Sequence, residues 1–306
     1  MTTSIKAADT AARNVPSTSK KQKAGDESTV SGGSKGLIYA VLVFLTVVFL
    51  GPIAFILLNS FKDRFAISTN PFALPTGELW AGLTNYVTGV QGEGFGWAIV
   101  WSFVITISSV VAVVFFSAMT AYYITRVKTW WTSALYYAFV FSMVIPFQMV
   151  MFPTVVIADR LGLANPLGMV VLYLGFGSGL SVFMFSGFIK SIPLEIEEAA
   201  HIDGCSPLTT FFRVVLPMLK PTAITVAILN AMWIWNDYLL PYLVIGLSTP
   251  YRTIPVVIQQ FIVSQGDRDL GAMMAMLVLA ITPIIIFYIS AQKHIIEGVA
   301  AGAVKG

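Results

Sequence analysis

Four acidic side chains, Glu195, Glu197, Glu198 and Asp203, fall close together in a chain of which only 11% is charged. Ala199, Ala200 and Ile196 lie among them, so the segment offers carboxylates beside a small apolar face rather than a nucleophile with its base. The chemistry within reach is docking: carboxylates pair with another protein's cations, and alanines permit close approach. A second polar group stands in a long apolar stretch, where Asn236 and Asp237 neighbour Trp233, Trp235 and Tyr238. Amides and carboxylates bond hydroxyls and flat aromatic faces suit sugar rings, which makes a transport path one reading. The other is that Asn236 and Asp237 satisfy backbone groups between helices while the aromatics pack on their neighbours.

Punctuation frames the acidic segment. Ser191 is expected to cap a helix with Pro193 and Glu195 in its first turn, and Gly204 suits the left-handed position that ends it. Ser206 and Pro207 then start a second short helix, whose run Pro217 limits. Ala199 and Ala200 are expected to share a face with Ile196.

The elements that must position these residues are membrane helices. Hydrophobic residues make up 57% of the chain and mean hydropathy is +0.80, far from soluble norms. Six segments exceed the roughly 20 residues that cross about 30 Å of hydrocarbon: Gly36 to Phe61, Gly94 to Thr125, Thr129 to Ala158, Leu161 to Ile189, Pro221 to Tyr251 and Leu270 to Gln292. With the first 35 residues in the cytoplasm, 13 of the 18 Lys and Arg fall inside, which puts both termini and the acidic segment in the cytoplasm. The fold expected is therefore an all-α integral membrane protein of six spans, with short coupling helices between spans four and five. Residues 1–35 read as a disordered tail followed by an uncleaved anchor. The membrane domain is expected over 36–292, with an external loop about 62–93 and a cytoplasmic loop about 190–217, and 293–306 as a cytoplasmic tail. A net charge of +3 follows from this topology and gives no support to nucleic-acid binding.

Depth follows from helix rise. Asp237 is 16 residues beyond Pro221, and Gln148 is 16 residues beyond Thr132, so each sits about 24 Å from the cytoplasmic side and the two are expected to share a layer with Asn236. Pro146, Pro153 and Pro283 are expected to kink their spans, and gate hinges are one use of such kinks. Gly175, Gly177 and Gly179 permit close helix approach. Trp130 and Trp131 read as interfacial anchors, and Gly162 with Asn165-Pro166 as a tight turn. The single cysteine, Cys205, excludes an internal disulfide.

The spacing EAAxxxG, nine residues, then Val214-x-Leu216-Pro217 resembles the signature of membrane subunits of bacterial ABC importers, with Val214 in place of the usual isoleucine. The stretches FMFSGFIKSIPLEIEEAAHIDG, WIWNDYLLP and EGVAAGAVKG resemble the carbohydrate branch, the last being similar to the tail of the shorter membrane subunit of maltose transporters. The resemblance runs from about Gly36 to Gly306. It implies that Glu195, Glu198, Ala199, Ala200, Asp203, Gly204, Leu216 and Pro217 form a coupling element in a cleft of an ATPase, with Glu198 paired to an arginine there. It also implies that Gly302, Ala303, Val304 and Lys305 reach between two ATPase subunits; Gln148, Trp233, Asn236, Asp237 and Tyr238, from their place within the spans, are the candidates for the path.

The partners implied are a second, related permease subunit, two cytoplasmic ATPase subunits, an external solute-binding protein, a sugar and lipid. The chain has no GxxxxGK[ST] loop, so it is expected to be non-catalytic and to bind no cofactor of its own, with ATP and Mg on the ATPase. Oligosaccharide is the expected cargo in the bacterial cytoplasmic membrane, with glycerol phosphate as the alternative. The rival class is an ion-coupled secondary carrier in which Asp237 titrates.

Overall fold

A computed structural model describes residues 32–92, 94–246, 249–265 and 269–303, with side chains over 35–92, 94–246, 249–264 and 269–293. The expected tail lies outside the described residues as far as residue 31. Two compact units, Met1–Pro52 and Ile53–Gly306, divide the chain. The described part of the first is the body of helix α1 (Gly32–Asn59), which starts before the Gly36 expected from composition.

Every named element among the described residues of the second unit is helical. In order these are α2 (Arg64–Thr69), a 3-10 turn (Gly77–Leu79), α3 (Thr84–Gln91), α4 (Phe95–Arg126), α5 (Trp130–Ser142), α6 (Phe147–Arg160) and α7 (Pro166–Ile189). There follow α8 (Leu194–Ile202), α9 (Pro207–Thr210), a π turn (Phe211–Val215), α10 (Leu216–Met218), α11 (Lys220–Asn236), α12 (Leu239–Pro241), a second π turn (Tyr242–Gly246), α13 (Ile254–Gln265) and α14 (Leu270–Ala303). Among the described residues four helices are long and apolar enough to cross a bilayer, or up to six spans if each of two bent pairs is one.

One bent pair corrects an expectation. The span read as Thr129 to Ala158 is α5 and α6 meeting at 109°; the 74° bend between Met218 and Lys220 falls before Pro221, where Pro217 is expected to end the loop helix, and the fifth span departs from a single helix only at Asp237, after α11. Pro146 explains the first bend. It precedes α6 in extended conformation, has no N–H to continue α5, and disfavours helix at Ile145. Pro153 and Pro283 lie inside α6 and α14, which continue through them. Helix α13 lies between the two last expected spans, and its 12 residues are too few to cross a bilayer.

The centre is the α4–α7 pair, packed through small residues. Ser109, Ser117, Ala118 and Ala121 of α4 are buried, as are Gly177, Ser181 and Ser186 of α7. Small side chains let helix backbones approach where lipid gives no hydrophobic drive. At Gly177 a Cβ would stand 2.7 Å from Asn230 Oδ1 and 3.1 Å from Val113, so its hydrogen is what admits α11. Asn230 Nδ2 there donates to Ser181 Oγ at 3.2 Å. The turn before α7 is as expected: Gly162 has φ +65°, and Asn165 Oδ1 accepts from Gly168 N at 2.9 Å.

The region after α1 is a folded cap rather than a bare loop. Phe61 stacks on Trp80, Asn85 Nδ2 donates to the Ser60 and Lys62 carbonyls at 2.8 Å each, and Lys62 Nζ donates to the Asn70 and Pro71 carbonyls at 3.0 Å each. Lys62 has no exposed surface, and burial lowers its pKa.

Candidate functional site, an acidic helical loop

The loop between α7 and α11 is built as two capped helices on an apolar base. Pro193, not Ser191, is the residue before α8; its carbonyl accepts from Ile196 N at 3.4 Å, and the Ser191 hydroxyl turns back to the Phe188 carbonyl at 2.7 Å. The reason is sequence order: Pro193 has no N–H to be capped and its fixed φ suits a helix start. The end of α8 is as expected. Gly204 has φ +80°, Gly204 N bonds the His201 carbonyl at 3.0 Å and Cys205 N bonds that of Ala200 at 2.9 Å, a Schellman pair. Ser206 then caps α9, its Oγ accepting from Thr209 N at 3.3 Å. Leu216 and Pro217 form the last turn before the 74° bend, and Pro217 is exposed.

Burial sorts the acidic residues into two classes. Glu195, Glu198 and Asp203 are exposed, together with Ala199, Ile202 at 86% and Leu208 at 63%. Glu197 is 6% exposed and Ala200 7%. Ala200 therefore faces inward with Glu197, and the shared Ala199–Ala200–Ile196 face is corrected to one that holds Ala199 and Ile196. Sequence reasoning gave Glu197 no separate role, because its partners lie about 70 residues away. Arg126 Nε donates to Glu197 Oε1 at 2.8 Å, with Arg126 Nη2 at 2.6 Å from the same oxygen, and Tyr122 Oη donates to Oε2 at 2.9 Å. The same Nη2 reaches the Ile192 carbonyl at 3.2 Å. Beneath this clasp Ile192, Phe211, Val215 and Leu219 of the loop pack with Ala121 and Ile124 of α4 and Phe185 and Ile189 of α7.

The second candidate group surrounds a break in the fifth span. Asp237 ends α11 in extended conformation; its Oδ1 accepts from Leu239 N at 3.0 Å and its Oδ2 from Tyr173 Oη at 3.0 Å. Asn236 is exposed and donates to the Met232 carbonyl at 2.7 Å. Trp233, 42% exposed, meets Tyr173 edge-on at 5.5 Å, and Tyr238 stacks on Tyr242 at 5.0 Å. Gln148 is exposed near the start of α6 and makes no side-chain hydrogen bond among the described residues. The 109° bend removes the straight-helix depth from which it was placed level with Asp237. A cavity of about 220 Å³ lies elsewhere, lined by Phe103, Ile107, Met232, Trp235, Ile284 and Phe287 among others; its walls are almost wholly apolar, which does not suit hydroxyls.

Residues 113–300, which hold both the loop and the break, match the profile of the family described as "Binding-protein-dependent transport system inner membrane component". The chain belongs to that family. It is a non-catalytic permease subunit of an ABC transporter. The permease is 41% identical over 271 residues to the probable starch degradation products transport system permease protein of Thermoanaerobacterium thermosulfurigenes, covering 89% of this chain and 97% of the relative. It is 36% identical over 270 residues to the multiple sugar-binding transport system permease protein of Streptococcus mutans, covering 87% and 96%. Its fold matches a chain in the crystal structure of a bacterial ABC transporter involved in import of the acidic polysaccharide alginate, with TM-score 0.72, 22% identity and coverage of 85% and 95%. The permease's final helix continues through Gly302 to Ala303, while Val304 and Lys305 of the tail lie outside the described residues.

Proposed function

We propose that this permease is one half of the pore of an ATP-driven sugar importer in a bacterial cytoplasmic membrane. The observation that carries the reading is the exposed knob of α8 and α9, with Glu195, Glu198, Ala199, Ile202, Asp203 and Leu208 outward on a base packed against α4 and α7. A surface of carboxylates among bare aliphatic side chains is suited to a partner, and here that partner is a cytoplasmic ATPase, with Glu198 on one of its cations. Six spans, with each bent pair counted as one, and the Lys and Arg bias support a cytoplasmic side for both termini and the knob. ATP binding draws two ATPase subunits together, and the knobs of this chain and of a related partner permease convert that stroke into alternating access. Gly302, Ala303, Val304 and Lys305 at the chain's end contact the ATPase pair.

Outside, a solute-binding protein delivers the cargo. The family is binding-protein-dependent, and a further structural neighbour, TM-score 0.57, is a transporter in complex with an oligosaccharide-bound periplasmic protein. The relatives are named for starch products, multiple sugars and diacetylchitobiose, which favours an oligosaccharide; neither glycerol phosphate nor ion-coupled transport gains support. Trp233, Asn236, Tyr238 and Gln148 line the path in this reading, and Asp237 braces the break behind them. The test is uptake by proteoliposomes holding the co-expressed complex. Accumulation of labelled maltooligosaccharide or raffinose that needs both internal ATP and the binding protein is expected. Uptake driven by an ion gradient without ATP would overturn the reading.

A further inference from the structure

Neighbouring glutamates of α8 point opposite ways. Glu198 is open to a partner, whereas both oxygens of Glu197 are taken by the end of α4. We propose that Arg126, Glu197 and Tyr122 form a force-bearing clasp that makes the knob move as one body with α4, and so delivers its stroke to α4 rather than along the covalent chain into α11. The inference rests on the reading of α8 as the ATPase-docking element.

Three features carry it. The first is chemical. This is the one salt bridge among the described residues, and it is nearly buried, with side chains 16% and 7% exposed. Desolvation offsets much of the attraction in such a pair, so apolar side chains would hold the loop down as well. What they would not supply is orientation. The planar guanidinium fixes its angle to a carboxylate, and Arg126 spends its fork on two parts of the loop, Glu197 within α8 and the Ile192 carbonyl just before it. Tyr122, one turn earlier on α4, takes the remaining Glu197 oxygen.

The second feature is mechanical. From Arg126, α4 runs as an unbroken helix to Phe95, and on the way Ile105 and Trp101 pack in the cluster that holds Tyr173, Ile234 and Leu240. The 21 residues from Arg126 to Ile105 make a rod of about 32 Å between the clasp and the surroundings of the Asp237 break. The third is the state of the alternative route. Between α8 and α11 the backbone passes through a glycine at φ +80°, a π turn at Phe211–Val215 and a 74° bend. At each the run of regular α-helix stops, whereas α4 has no such break between Phe95 and Arg126. The other covalent link, Lys190 to Pro193, is four non-helical residues; Ile192 packs in the apolar base with Ala121 and Ile124, and its carbonyl is held to the rod by Arg126. Arg126 and Glu197 are accordingly positioning residues, touching neither sugar nor nucleotide.

The experiment uses the assembled complex with its ATPase, partner permease and binding protein in proteoliposomes. Glu197→Gln and Arg126→Gln are compared with the charge-swapped double variant, Arg126→Glu with Glu197→Arg. The readouts are co-purification of the ATPase, basal ATP hydrolysis, and sugar accumulated per ATP hydrolysed. For each single variant we expect retained ATPase and basal hydrolysis, with sugar per ATP lower by about tenfold or more, the scale on which loss of one buried partner acts. The double variant is expected to recover most of it. A simple anchoring role would lower assembly and leave sugar per ATP unchanged. Wild-type coupling in an assembled Glu197→Gln complex overturns the clasp. If the single variants fail to assemble, the double variant decides, since recovery of both assembly and coupling supports the clasp and failure to recover refutes it. Failure of the ATPase to accompany the wild-type chain would instead refute the docking reading beneath it.

Discussion

Replacing Asp237 separates a brace from a charge that acts on cargo. The carboxylate uses one oxygen on Leu239 N and the other on Tyr173 Oη, both at 3.0 Å. Asparagine keeps an acceptor for Leu239, and its amide can donate to the phenol oxygen once the hydroxyl turns, so Asp237→Asn should cost no more than one ordinary hydrogen bond, about 1 kcal/mol. Alanine leaves two polar hydrogens unpaired, each costing about 1–3 kcal/mol when buried. Interhelical hydrogen bonds in membranes average only about 0.6 kcal/mol, so the lower end, about 2 kcal/mol in total, is expected for Asp237→Ala. Tyr173→Phe removes only the phenol's share. Stability is read from thermal unfolding of the purified complex in detergent, and function from initial sugar uptake in proteoliposomes. Asp237→Asn is expected to transport nearly as wild type, with Asp237→Ala losing stability and uptake together. An Asn variant of wild-type stability that no longer transports would refute the brace and restore a direct role for the charge.

Glu198→Lys should abolish ATPase association while the chain still inserts, and Gly204→Val, forced into φ +80°, should destabilise the loop by about 1–2 kcal/mol; pull-down and unfolding measure these. Gly177→Ala drives a methyl to 2.7 Å from Asn230 Oδ1 and should cost about 1–3 kcal/mol, whereas Gly175→Ala, with nothing within 4 Å, should be neutral in the same unfolding assay. Lys62 supplies a pH dependence. Its folded-state pKa is lowered by burial, so folding is penalised while the amine is charged, and stability should rise as pH climbs through that value toward the ordinary lysine pKa of about 10.4. A neutral amine still has two hydrogens for the Asn70 and Pro71 carbonyls. Lys62→Met should lose this alkaline gain, as measured by unfolding across that range.

Local rules made the loop's punctuation legible. Gly204 and Ser206 do in the structure what their residue types require, and Asn165-Pro166 starts α7 as read. What is hidden from sequence is which way a residue faces. Lipid tails and protein core are equally apolar, so the faces of α4 and α7 carry no periodic contrast to mark inside from outside. Glu197 and Glu198 are chemically the same, and only the fold brings Arg126 to one of them. The 109° bend was half legible: Pro146 marks the site, but neighbours decide whether a proline breaks a helix, and α6 continues through Pro153. Gln148 lost its inferred depth for that reason.

The central claim, that the α8 knob meets an ATPase in the cytoplasm, is tested most directly by side-selective thiol labelling. The chain has one cysteine, so Ile202→Cys in a Cys205→Ser background places a single exposed thiol on the knob and leaves Glu198 in place. A membrane-impermeant maleimide should label it in inside-out vesicles only, and more slowly when the ATPase is bound. Labelling from the outer face of intact cells, or a rate indifferent to the ATPase, would contradict the account.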